Sequence, residues 1–332
     1  MESYAAPPVA IALATPGNPR NSESDIVQLA DGRLLLAWTE FYAGVGDDHG
    51  AARIVGCVSS DLGQTWGKPH TLVENDGGCN VMEVNFLRLR NGRLALFHCQ
   101  KNVEVGSEGT PDCRVMLRQS ADEGCSFGPA KPLTEGQRYV ETASGRGLML
   151  SGGRILVECD ALESAFCLLS DDDGITWREG AHVRPTQGGC WEPAAVELRD
   201  GRVLMFLRTA LGGQYQTISA DGGLTWSEPA LSPLTGSGSP VSIERLPTTG
   251  DLLAIWNHDV GSARARNPLT AAISRDGGRT WGQFRNVATA PDNAFAYPSV
   301  TFVGETALLT YFDYRDGISL FLQRIPVAWF YG

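Results

Sequence analysis

Residues 59–66 read SSDLGQTW, and the frame Ser-x-Asp-x-Gly-x-Thr-Trp comes back in SDDDGITW from Ser170, SADGGLTW from Ser219 and SRDGGRTW from Ser274. A worn copy, SADEGCSF, starts at Ser120. The copies recur at loose intervals of about 50 to 60 residues, in the range of propeller-blade repeats. The frame has the chemistry of a turn. Its aspartate can accept backbone N–H groups within its own turn, its glycine permits a left-handed residue, and its tryptophan offers a large apolar surface. Asp61, Asp172, Asp221 and Asp276 are therefore read as turn staples, neither catalysts nor cation ligands.

A second signal lies between these copies. Two apolar runs flank a tight turn in QLADGRLLLAW (Gly32), RLRNGRLALF (Gly92), MLSGGRILV (Gly153), ELRDGRVLMF (Gly201) and RLPTTGDLLAIW (Gly250), with a weaker sixth copy in FVGETALLTYF at 302–312. Asp-Gly and Asn-Gly between apolar runs mark hairpins, with positive φ expected at both turn residues. One hairpin of each kind makes a four-stranded antiparallel unit. Six units predict an all-β fold, a six-bladed β-propeller, with almost no helix. A repeat that runs through the chain makes 1–332 one propeller domain. The sixth unit lacks the Ser-x-Asp frame, and PVAIALATP near the N-terminus is expected to supply its outer strand.

Composition narrows the function. The 332 residues are 42% hydrophobic, as in globular proteins, and carry a net charge of −11. That charge would repel a phosphate backbone, so no nucleic-acid partner is expected. No apolar run approaches the roughly 20 residues of a membrane helix. MESYAAPPVAIALATP has neither a basic n-region nor a long apolar core, so the expected compartment is the cytoplasm, unless a leader has been removed. Lysine occurs only at Lys68, Lys101 and Lys131, and every other strong base is arginine. The eight cysteines form no CxxC pair or Cys/His cluster and read as buried free thiols. No motif for a metal or an organic cofactor is present, and none is expected.

Strand alternation assigns the candidate site to one face. Both kinds of hairpin turn fall on the same face, which leaves the longer polar loops on the opposite one. Counting back nine residues from the hairpin glycines gives Glu23 (Gly32), Glu83 (Gly92) and Glu192 (Gly201). In the sixth unit Thr306 takes the glycine position, and the same count gives Tyr297. Three glutamates and a tyrosine thus share one register at the mouth. Near-axis carboxylates require cations, and Arg208, Arg266 and Arg146 open or close strands there. Asp47 and Asp48 lie in the mouth-side loop EFYAGVGDDHGAARI.

These residues resemble the sialidase (neuraminidase) superfamily. Its hallmark Asp box is the Ser-x-Asp frame, which covers Ser59 to Trp281. DDHGA resembles the loop that bears the family's general acid, with Asp47 the better match. WEPAAVEL resembles the strand of the catalytic glutamate, Glu192, and AYPSVTF the segment of the nucleophilic tyrosine, Tyr297. FLRT and RNPLTAAISRDGG resemble the segments of two carboxylate-binding arginines, Arg208 and Arg266. The family's first arginine position holds Ser22, in NSESD, with Arg20 two residues away and expected to reach in beside Glu23. The resemblance implies a retaining exo-glycoside hydrolase without cofactor, cleaving terminal sialic acid or a related acidic sugar. Glu192 would draw the proton from Tyr297, Asp47 would protonate the leaving oxygen, and Asp48, Glu83 and Arg146 would line the substrate. A glycosidase or lyase for a different sugar, and a non-catalytic carbohydrate-binding propeller, are the alternatives.

Overall fold

Each pair of hairpins closes into one four-stranded antiparallel sheet, and a computed structural model arranges six such sheets as a six-bladed β-propeller. It describes residue 4 and residues 6–136, 138–259 and 266–332; within these, the side chains of Ser144 and Arg146 lie outside the described set. The innermost strands of blades 1 to 6 are Arg20–Gln28, Asn80–Arg88, Glu141–Met149, Trp191–Glu197, Ser242–Arg245 and Phe295–Val303. Among the described residues the one helical element is a 3-10 turn, Val327–Tyr331. No helix there is long and apolar enough to cross a membrane.

The ring closes as the sequence predicts. Val9–Ala12 pairs antiparallel with Ser319–Pro326 and becomes the outer strand of blade 6. Blades 6 and 1 are also tied by main-chain bonds, from Asn21 N–H to the Ile318 carbonyl at 2.8 Å and from Ile318 N–H to the Pro19 carbonyl at 3.1 Å. The core is divided among the blades. Six clusters of buried side chains each fill one gap between neighbouring sheets. The tryptophans of the Ser-x-Asp frames pack onto these clusters; Trp177 of blade 3 sits edge-on to Phe97 of blade 2 at 5.6 Å. Six of the eight cysteines are buried free thiols, whereas Cys79 is half-buried and Cys125 exposed.

The inner hairpin turns differ from expectation in one respect. Only the glycine takes positive φ, at 87° for Gly32, 85° for Gly92 and 82° for Gly201; the preceding Asp31, Asn91 and Asp200 do not. The loop is three residues long, since Leu29 N–H bonds the Arg33 carbonyl and Gly32 N–H the Leu29 carbonyl. A type I turn followed by a left-handed glycine needs only one such residue. The Asp31 carboxylate accepts the Arg33 N–H at 3.0 Å.

The Ser-x-Asp frame works as a local staple. Asp61 Oδ1 accepts the N–H of Thr65 at 2.9 Å, and Oδ2 accepts the Thr65 hydroxyl at 2.6 Å. Ser59 Oγ donates to Asp61 and accepts the Gly63 N–H. The serine, aspartate and hydroxyl bonds recur in the other four copies. Hydrogen bonds from Thr65, Ser126 and Thr176 hold the carboxyls of Asp61, Asp122 and Asp172 down to about 2. A carboxylate whose pKa is depressed on folding stabilises the fold above its unfolded value of about 3.9, and that contribution is lost as pH falls through the folded value. Thermal melts should therefore show Tm falling between about pH 4 and about pH 2, with a shallower fall in the triple variant D61N/D122N/D172N. An equal slope in parent and variant would exclude these carboxylates from the acid response.

Candidate active site

Four of the six inner strands carry the same irregularity at their leading end. The ladder slips by one residue at Glu23 in blade 1, at Glu83–Val84 in blade 2, at Glu192–Pro193 in blade 4 and at Tyr297–Pro298 in blade 6. These are β-bulges, which re-aim a side chain by inserting one unpaired residue. Pro193 and Pro298 suit such a place because they have no N–H to leave unpaired. Glu23, Glu83, Glu192 and Tyr297 have φ of 40°, 67°, 42° and 54°. The left-handed conformation costs a non-glycine residue about 1–2 kcal/mol. All four residues line one cleft of about 410 Å³. Blade 3 slips between Thr142 and Gly147 with Gly145 at positive φ. Blade 5 has no slip, and its residue at the shared register is the buried Val241.

The preceding blade braces several of these bulges. Thr39 Oγ1 accepts the Glu83 N–H at 3.0 Å, and Asp160 Oδ1 accepts the Glu192 N–H at 2.9 Å. Cys99 Sγ accepts the Thr142 N–H at 3.3 Å, and Asn257 donates to the Phe295 carbonyl at 2.9 Å. Thr39, Cys99, Asp160, Arg208 and Asn257 each stand seven residues after their hairpin glycine. This second register is legible in the sequence, but only as a count, because its side chains differ.

The chemistry concentrates at blades 4 and 6. The Tyr297 hydroxyl donates to Glu192 Oε1 at 2.6 Å. Arg208 Nη1 lies 2.6 Å from Glu192 Oε2 and 3.4 Å from the Tyr297 oxygen. Burial alone would raise the Glu192 pKa, but Arg208 and the Tyr297 hydrogen bond bring it below the ordinary value. Burial, and then the Glu192 charge, push the phenol well above its ordinary value. The resting pair is thus a carboxylate and a neutral phenol. The Tyr297 ring stacks on Phe312 at 4.7 Å and 7°. The Arg266 guanidinium lies 5.5 Å from the Tyr297 ring centre and donates to the Tyr314 hydroxyl.

Arg20 reaches the cleft. Its guanidinium bonds Ser22 Oγ at 2.8 Å, Asp48 Oδ1 at 2.5 Å and Glu23 Oε1 at 2.5 Å, and stacks on Phe41. Burial works against the charge of Arg20, but Glu23 and Asp48 outweigh it and raise its pKa. For Glu23 burial wins, and its carboxyl is shifted upward despite Arg20. The two neighbouring aspartates separate. Both are exposed, but Asp48 lines the cleft and bonds Arg20, whereas Asp47 caps its own turn by accepting the His49 N–H at 3.0 Å. Glu83 is buried at the cleft wall. Arg146 falls in the strand Glu141–Met149, and its side chain lies outside the described residues.

Sequence reasoning did not single out three further cleft groups. Lys101 Nζ lies 2.6 Å from Glu141 Oε1, and Asp160 faces the same space. Burial disfavours the Lys101 charge, but Glu141 raises its pKa well above the ordinary value. Burial, reinforced by Glu141, lifts the Asp160 carboxyl well above the ordinary range. The available signals were weak: Lys101 is one of three lysines, and Asp160 occupies in blade 3 the register that Arg208 occupies in blade 4. Among the described residues no three His, Cys, Asp or Glu side chains converge as metal ligands.

Removing one partner of a largely buried ion pair leaves the other charge stranded, at about 3–5 kcal/mol. Arg208→Ala should lose stability on that scale in urea unfolding. Glu192→Gln added to that variant should recover part of the loss. Two losses that simply add would show that the pair is not coupled.

Comparison with known proteins shows what the chain as a whole is similar to. The sequence pattern of the BNR repeat-like domain matches residues 32–309. Sialidase-3 of Mus musculus is 25% identical over 247 residues, which are 63% of this chain and 57% of that protein. A sialidase of Micromonospora viridifaciens is 27% identical over 350 residues, covering 91% of this chain and 50% of that protein. The chain therefore spans about half the length of the curated relatives it matches. Among solved structures, a Hadza microbial sialidase superposes with a TM-score of 0.79 at 16% identity, over 97% of this chain and 68% of that one. At that identity the likeness concerns the fold.

Proposed function

Because the chain belongs to the BNR repeat-like domain family, we propose that it is a glycoside hydrolase of the sialidase type, acting with retention through Tyr297. The observation that carries this reading is the 2.6 Å bond from the Tyr297 hydroxyl to Glu192, at the floor of a cleft of ligand size. A phenol is a poor nucleophile until a base takes its proton. Glu192 is ionised and oriented for that transfer, and Arg208 faces both the carboxylate and the phenol oxygen. As the phenol oxygen attacks the anomeric carbon, its proton passes to Glu192 and the aglycone leaves. Water then releases the sugar from tyrosine with net retention.

The leaving oxygen needs an acid; the sequence pointed to Asp47, and the role is assigned in this proposal to Asp48, supported by its place in the cleft lining. The Asp48 side chain is 66% exposed, open to a leaving group from solvent. Burial would raise its pKa, but Arg20 outweighs that and holds it below the ordinary carboxylate value. An acid of low pKa is protonated only at low pH, so kcat/KM should decline as pH rises above about 4. Asp48→Asn should remove that decline.

Aryl glycosides are the test substrates, with aryl sialosides included because the curated relatives are sialidases. Tyr297→Phe should lower kcat on the order of 10⁴-fold. Asp48→Ala should lower it by about 10²–10⁴-fold, most for poor leaving groups, and Asp47→Ala by less than about tenfold. Parental turnover in Tyr297→Phe would end the nucleophile assignment.

A further inference from the structure

The cations of the cleft are engaged before any substrate arrives. Arg20 holds Glu23 and Asp48, Lys101 holds Glu141 and Arg208 holds Glu192, all at 2.5–2.6 Å. Arg266 donates to the Tyr314 hydroxyl. Among the described residues lining the cleft, six carboxyl side chains (Glu23, Asp48, Glu83, Glu141, Asp160 and Glu192) stand against four cations, Arg20, Lys101, Arg208 and Arg266. We propose, on the glycosidase reading above, that the cleft takes a neutral, hydroxyl-rich sugar and disfavours one with a carboxylate on its reacting carbon.

The geometry at Tyr297 carries the argument. Glu192 bonds the phenol, and Glu23 stands with it at the lining of the same cleft. An acid on the carbon attacked by Tyr297 would therefore lie against Glu192, which Arg208 already pairs. To be held by Arg20 in place of Glu23 it would leave a buried carboxyl without its cation, which is strongly unfavourable. Glu23 itself has no exposed surface and nowhere to withdraw to. A sugar hydroxyl imposes no such exchange. Carboxylates accept from it, and the Lys101–Glu141 pair offers a donor beside an acceptor.

The experiment measures binding and turnover separately. Calorimetric titration of the intact protein compares the α-methyl glycoside of N-acetylneuraminic acid with neutral methyl hexosides, 6-deoxyhexosides and pentosides. At least one neutral glycoside should bind tenfold or more tightly than the acid. Asp48→Asn, a change at an exposed side chain, and Glu23→Gln each remove one negative charge from beside Arg20, and each should narrow that gap at least threefold. Equal or tighter binding of the acid by the parent, no saturation by any neutral glycoside, or an unmoved gap in both variants would overturn the proposal. Hydrolysis of an aryl sialoside but of no neutral glycoside would overturn it and leave the Tyr297 mechanism standing. Tight neutral binding without turnover would leave the proposal standing and remove the mechanism.

Discussion

One inserted residue, repeated in four blades, is what the cleft depends on. A regular inner strand would point alternate side chains into the gaps between blades, where the apolar clusters lie. The bulge breaks that alternation at the strand's leading end and sends Glu23, Glu83, Glu192 and Tyr297 to a common space. Each sits in a backbone region that L-residues ordinarily avoid, and the conformation persists because the surroundings over-determine it. The adjacent blade supplies part of that constraint, as Asp160 does for Glu192 and Thr39 for Glu83. Neighbouring blades therefore set the geometry of the site together, although each blade closes its own sheet.

The same arrangement brings carboxylates together closely enough to require compensation. Arg20, Lys101 and Arg208 provide it with short ion pairs, and the pKa shifts follow from which influence wins. At Glu192 the arginine outweighs burial and the group is ionised. At Glu23 and Asp160 burial outweighs the nearby cation. The pKa values of carboxyl groups within one cleft are thereby pushed apart, the condition under which acid and base roles can be divided. Fold and charge carry different information here. The fold matches sialidases over nearly the whole chain, while among the described cleft residues Arg20, Lys101 and Arg208 are each already paired with a carboxyl group.

The opposite face is stabilised by another means. Its five Ser-x-Asp turns satisfy themselves locally and press an aromatic ring against the preceding blade. The aspartates there accept bonds from their own turns, which accounts for their recurrence without a catalytic role.

What the sequence determined by itself was periodic and local. The two alternating hairpins specify four-stranded units, their number specifies six blades, and the count of nine places Glu23, Glu83, Glu192 and Tyr297 in one register, because each rests on short-range turn chemistry or strand alternation. Tertiary structure decided what depends on contacts between blades and on the direction of single side chains. It turned Asp48 toward Arg20 and left Asp47 to cap its loop. It paired Lys101 with Glu141, forty residues apart and in different blades. It also made Asp160 a brace for a strand thirty-two residues later. No local pattern encodes such pairs, since strand alternation says which face a residue takes but not which partner the closing ring will set against it.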